Sequence, residues 1–331
     1  MSNAKIFPFP SFYDASKVGD LYLSRKAMVA EEATDFAKVH GLKPSVDDKF
    51  KIALFGIDVQ NDFCLTSGSL SVPGAMEDSA RLCEFIYKNL GLITEMHFSL
   101  DTHKAYQIFH PSFWIESATG KHPAPFTLIS VADIKSGKYV PALYPHECIA
   151  YCEELEKTGK YMLCVWPYHT MLGCVGHAMV PAVFEAAMFH AVARRKQTKF
   201  ETKGVHPLTE NYSVLSPEVK DVAGRVVGQF NTKFFKALME NDRIYIAGQA
   251  SSHCVKTTIE DLLREINAVD PSLVDKVYIL EDCMSPVPAV TDPNTGAVIV
   301  DFPQMAKDAL DDFRAAGMHV VKSTDVIDIA A

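Results

Sequence analysis

RIYIAGQASSHCVKTTIEDLL (243–263) opens as an apolar β pattern and closes as an amphipathic helix, and the turn between the two carries a cysteine. Cys254 stands where the helix begins. Its sulfur there faces the unpaired N–H groups and the positive dipole end of the helix, which favour thiolate and lower a thiol pKa. Asp58 closes a second apolar run, KIALFGID (51–58), and Lys203 ends a third candidate strand, TKFETK (198–203). In an open α/β sheet, catalytic groups collect at the carboxyl ends of the strands, so these three residues can meet although they are far apart in sequence. A base, a cation and a thiol form the set that an activated cysteine requires.

Outward from this stretch, strand-like runs recur near 51–58, 92–99, 161–166, 197–202, 243–248, 276–280 and 318–321. Helical patterns separate most of them, among them EDSARLCEFIYKNL (77–90), HAMVPAVFEAAMFHAVARR (177–195), TKFFKALMEN (232–241) and PQMAKDALDDFRAAG (303–317). Such alternation predicts a three-layer α/β fold, a mostly parallel sheet with helices on both faces. Residues 1–50 read as a helix-prone extension, through DLYLSRKAMVAEEATDFAKVHG (20–41), and residues 51–331 as the main domain. The rhythm breaks at about 111–160, where GKHPAPF (120–126) and SGKYVPALYP (136–145) flank one helical stretch, HECIAYCEELEKTG (146–159). This interval reads as an insertion beside the active edge.

Composition narrows the partners. Apolar residues make up 48% of the 331, charged residues 22%, and the formal charge is −9, an ordinary soluble-enzyme profile that disfavours nucleic acid and anionic membrane. The eight cysteines include no CxxC pair, and MSNAKIFPFP (1–10) lacks a signal pattern, so reduced thiols and a cytoplasmic location are expected. Small-molecule chemistry follows. Exposed apolar surface on the extension would favour a homo-oligomer.

A second constellation lies in HFSLDTHKAYQIFH (97–110), which supplies Asp101, His103 and His110, with His169 in VWPYH (165–169) as a fourth member. Nitrogen and oxygen donors in this pattern suit a first-row metal, although loop histidines are often merely solvated or hydrogen-bonded.

Taken together, IDVQNDF (57–63), DTH (101–103) with His110, WPYH (166–169), ETKG (201–204) and GQASSHCVKTTIED (248–261) resemble the nicotinamidase/pyrazinamidase group of the isochorismatase-like cysteine hydrolases. The resemblance spans about residues 51–325. It implies a catalytic triad of Asp58, Lys203 and Cys254, and an oxyanion hole from the N–H groups of Ala250 and Cys254 beside a cis Gln249–Ala250 peptide. It further implies a divalent metal on Asp101, His103 and His110, with His169 as fourth ligand or outer contact; zinc is the expected ion, and iron or manganese suit the same donors. Phe63 and Trp166 resemble the aromatic walls of the substrate pocket. His253 would shape that pocket without acting as base, and Tyr212 could reach it. The implied reaction is hydrolysis of a small carboxamide, nicotinamide foremost, to the acid and ammonia through a thioester. An amidase for another small amide or ureido compound is the alternative, and the intact triad argues against a non-catalytic binding member. Two stretches depart from the group's pattern: Ser251-Ser252-His253 before the nucleophile, and GCVGH (173–177). The longer span from His103 to His169 is a third departure, so the chemistry is more firmly implied than the substrate.

Overall fold

The computed structural model describes residues 6–159, 161–292 and 295–329; the outer limits set above for the extension and the main domain, residues 1 and 331, lie outside the described residues. Strands β1 (Ile52–Ile57), β2 (Glu95–Asp101), β3 (Lys199–Lys203), β4 (Arg243–Gly248), β5 (Val277–Leu280) and β6 (His319–Val321) form one sheet. Its order is β6-β5-β4-β1-β2-β3, and each neighbouring pair is parallel.

Burial on both faces explains the near-continuous apolar strands. Along β1 the side chains alternate between two cores, with Ile52 and Leu54 in one and Ala53, Phe55 and Ile57 in the other. Seven helices of two turns or more among the described residues cover the sheet: α1 (Lys26–His40), α2 (Ala75–Lys88), α3 (Pro145–Thr158), α4 (Pro181–Ala193), α5 (Thr232–Met239), α6 (Cys254–Val269) and α7 (Phe302–Ala315). On α6 the buried Val255, Ile259, Leu262 and Ile266 recur at helical spacing, so one stripe meets the sheet and fixes how its first turn is presented. By contrast α4, PAVFEAAMFHAVA, is apolar nearly all round, and it lies against both α1 and α2. The extension is therefore docked on the main domain, with Val29 and Ala33 of α1 buried in the same core as α2 and α4. No helix among the described residues is long and apolar enough to cross a membrane.

One expected strand is not in the sheet. Within 161–166 only Leu163–Cys164 is extended, and it pairs antiparallel with Leu128–Ile129, away from the central six. Leu163, Cys164, Val165 and Trp166 are apolar because they pack the inserted segment onto the α6 face. The segment is a closed excursion: the Trp166 N–H donates to the Phe109 carbonyl at 2.7 Å, joining its exit to its entrance.

At the end of β4, Gly248 has φ 127°, and an added Cβ would lie 2.0 Å from the Ile57 carbonyl oxygen of β1. Only glycine fits a backbone so close in that conformation. Gly248→Ala should lose more than about 1 kcal/mol of stability, read from urea unfolding, and an unchanged midpoint would contradict this account.

Candidate active site

Register does much of the assembly. β2 and β3 place Asp101 directly beside Lys203, while β1 and β4 pair Ile57 with Gly248, so Asp58 and Gln249 leave the sheet together. Each local segment holds its functional group by backbone contacts. Gln60 clamps Asp101 by donating to its carbonyl at 2.9 Å and accepting from its N–H at 2.8 Å. Ser99 donates to the Asp58 carboxylate at 2.6 Å and accepts from the Asp58 N–H at 3.1 Å, fixing a residue whose φ is 49°.

The three residues expected to carry the chemistry are brought together and buried. Lys203 Nζ lies 2.9 Å from Asp58 Oδ2, 2.8 Å from Asp101 Oδ1, 2.8 Å from the Asn211 carbonyl and 3.6 Å from Cys254 Sγ. Burial works against charging this amine, but Asp101, Asp58 and Cys254 hold its pKa well above the ordinary lysine value. Asp58 is near enough to the thiol to act on its pKa. Burial raises the Asp58 pKa, with Lys203 opposing, which makes it a stronger base than an exposed carboxylate.

The thiol departs from expectation. Burial pushes Cys254 well above the usual thiol range, and the nearby Asp58 and Asp101 carboxylates add to the rise against Lys203. At rest the sulfur therefore keeps its proton, and the adjacent Asp58 is the group that can remove it as a bond forms.

Above the thiol, the Gln249–Ala250 peptide is cis. The Gln249 N–H donates to the Ile57 carbonyl and the Ser251 N–H to the Ser285 carbonyl. The Cys254 N–H, at the helix start, has no acceptor within the helix.

Asp101, His103 and His169 place one donor atom each within 4.8 Å of one another. His103 Nδ1 pairs with the Gly204 carbonyl at 3.2 Å and His169 Nδ1 with the Pro167 carbonyl at 2.7 Å. Each Nε2 is thereby turned to Asp101 Oδ2, at 2.7 and 3.4 Å respectively. Backbone carbonyls orienting the far ring nitrogen are the usual outer support of metal-binding histidines. Gly204, with φ 83°, completes the cradle, since a Cβ there would lie 2.8 Å from the His103 ring and 3.0 Å from Asp101 Oδ1. Burial disfavours a charged His103, yet Asp101 outweighs it and raises its pKa.

His110, expected within the ligand trio, lies outside the group of three, and His169, expected as the fourth, is inside it. The reason is local. His110 begins the inserted segment, where its ring packs against Phe109 and Tyr168, 5.9 Å centre to centre from His103. Neither of its nitrogens has a hydrogen-bond partner of ordinary length, and burial with His103 and His169 nearby lowers its pKa to about 3. A neutral, buried imidazole with both nitrogens unpartnered fits a site built for a cation, as do the donors of Asp101, His103 and His169.

The pocket over Cys254 is lined by Phe63, Trp166, Tyr212 and His253 together with Asp101, His169 and Lys203. His253 is held near pKa 3, about 3 as burial and Lys256 set it, and its Nδ1 meets Ser252 Oγ at 2.9 Å. It is thus neutral and no base. The sequence reading missed Glu210, a buried carboxylate that lines the same pocket and whose pKa burial raises. The signal was available in TENYS (209–213), an acid next but one to the tyrosine already singled out. Asp62 was likewise unassigned: it accepts the Thr170 N–H at 2.7 Å and the Ser69 N–H at 3.0 Å, tying down the loop that carries His169.

No family model matches the sequence, and no curated protein matches it. Solved structures do match. A nicotinamidase/pyrazinamidase from Acinetobacter baumanii superposes with TM-score 0.51 over 85% of this chain and 100% of that one, at 18% identity. The yeast nicotinamidase bound to the inhibitor nicotinaldehyde superposes with TM-score 0.52 over 82% of this chain and 99% of that one, also at 18% identity. The fold is that of the nicotinamidases. The likeness covers the whole of a nicotinamidase chain and leaves part of this one over, in keeping with added segments on a nicotinamidase-type sheet.

Proposed function

We propose that the protein is a metal-containing cysteine amidohydrolase that cleaves a small carboxamide, with nicotinamide, bare or ring-substituted, as the leading substrate. The observation that carries this reading is Lys203, whose single ammonium touches Asp58, Asp101 and the Cys254 sulfur at once beside the cis Gln249–Ala250 turn.

Cys254 Sγ would attack the amide carbon while its proton passes to Asp58. The oxyanion would receive the N–H groups of Ala250 and Cys254. Collapse breaks the C–N bond, and Asp58 returns the proton to the departing ammonia, leaving a thioester. Water, deprotonated by Asp58, then attacks the thioester carbon; the acid leaves and the proton goes back to sulfur. Lys203 stays charged throughout and offsets the charge that alternates between Asp58 and sulfur. Asp101, His103 and His169, with His110 behind them, would hold a divalent transition metal, zinc foremost. Such an ion supplies Lewis acidity that a pyridine nitrogen can bind. Phe63 and Trp166 would bound the ring.

Ammonia release from nicotinamide and benzamide tests this. Benzamide keeps the carboxamide and lacks the ring nitrogen, so nicotinamide should be favoured by at least about a hundredfold in kcat/KM. The purified protein should carry roughly one transition-metal ion per chain, and removing it with a strong chelator should erase that preference. Equal turnover of the two amides by metal-loaded protein would sink the ring-anchoring role.

A further inference from the structure

Beside the catalytic pocket lies a second cavity of about 340 Å³, whereas the space directly over the thiol is about 30 Å³. The two share Trp166, Tyr212 and His253 as a common wall. On its far side the larger cavity is bordered by Leu128, Leu155 and Met162 of the inserted segment and its exit, and by Val300, Phe302 and Met305 at and just before the start of α7.

The polar groups around this cavity already have partners. The Tyr161 hydroxyl donates to the Ser252 carbonyl at 2.8 Å, Trp166 Nε1 donates to Tyr212 Oη at 3.0 Å, and Glu156 accepts the Val131 N–H at 2.8 Å. The exception is His253, which is buried, belongs to both pockets and has an Nε2 without a hydrogen-bond partner among the described residues. What remains is a mostly apolar chamber, with the exposed Glu156 at its rim and His253 where it meets the catalytic pocket. Sites for small organic molecules have this character and this order of volume, about 300 Å³ or more, which the space over the thiol alone does not reach.

We infer that this chamber is part of the substrate site and takes an apolar substituent carried by the carboxamide's ring, so that the preferred substrates are larger than nicotinamide. This rests on the amide-hydrolase reading above and names the substrate class of that same site. The inserted segment supplies much of the chamber's wall, which gives the departure in chain length a chemical role.

The test uses nicotinamides alkylated at ring position 5 or 6, methyl to butyl, with ammonia release as the readout on the metal-loaded full chain. In at least one series kcat/KM should rise about fourfold per methylene, mainly through KM, until the chamber is full. Met305→Trp fills the chamber, and Leu128→Phe does so more gently should the first variant fold poorly. Either should cut the butyl-to-unsubstituted ratio of kcat/KM by about tenfold or more. Flat or falling kcat/KM in both series, with nicotinamide turned over well, overturns the inference and leaves the hydrolase reading standing. If no amide releases ammonia, the hydrolase reading is what fails, and the chamber is judged by calorimetric titration of the same compounds. Affinity that climbs with chain length and is lost in Met305→Trp supports it; affinity indifferent to chain length overturns it.

Discussion

Cys254→Ala should abolish amide hydrolysis, with kcat reduced by about 10⁴ or more, and still yield a folded protein. The side chain is the one group that can form the thioester, yet it carries little of the surrounding structure. Lys203 keeps its ion pairs to Asp58 and Asp101 and its bond to the Asn211 carbonyl without the sulfur. The start of α6 is held by Val255 and the stripe that follows, not by the thiol. Circular dichroism and a melting midpoint near wild type should accompany the loss of ammonia release. Activity within tenfold of wild type in this variant would falsify covalent catalysis at Cys254.

Lys203 should behave differently, because it is structural as well as chemical. In Lys203→Met, two buried carboxylates lose their shared cation, which should lower stability by about 3–5 kcal/mol at neutral pH along with a loss of at least about 10³ in kcat. The penalty has a predictable pH sense. Without the cation the Asp58 pKa, already raised by burial, rises further, so the folded state binds more protons than the unfolded chain. Stability of the variant relative to wild type should therefore improve as pH falls from 8 to 5 and worsen as it rises. Asp58→Asn should also be severe for catalysis, and the double variant should be far from additive because the residues act on one proton and one charge. Urea unfolding at the two pH values, with kcat for all four proteins, checks both statements. Additive losses in kcat, or a variant equally destabilised at pH 5 and 8, would count against a shared role.

Strand-end residues were the legible part of the site. Asp58 and Cys254 follow apolar runs of strand length and Lys203 ends a more polar candidate strand, and a parallel sheet brings such ends to one edge whatever lies between them. The helices were legible for the same reason, since α2, α5, α6 and α7 repeat apolar residues at one spacing. What periodicity could not separate was an apolar run in the sheet from an apolar run packed against it, as at Leu163–Cys164. Loop residues were legible in kind but not in rank: His110 and His169 were both marked, yet only the fold shows which ring turns its Nε2 toward Asp101. The raised pKa values of Glu210 and of the Cys254 thiol were not legible, because both depend on burial, which brings groups from several segments into one dry space.

The hydrogen bond from Trp166 to Phe109 has a consequence for how this chain can change. It closes the excursion at its neck, between His110 on one side and the Trp166 ring on the other, so both ends are anchored in the site, while Gly120 and Gly137 lie in turns where an added side chain would meet nothing. Lengthening such a loop costs little, because closure entropy grows only slowly with length. The segment is thus a closed unit whose length can change at its exposed turns, while Asp58 and Lys203 at the sheet edge and Cys254 at the start of α6 keep their mutual contacts.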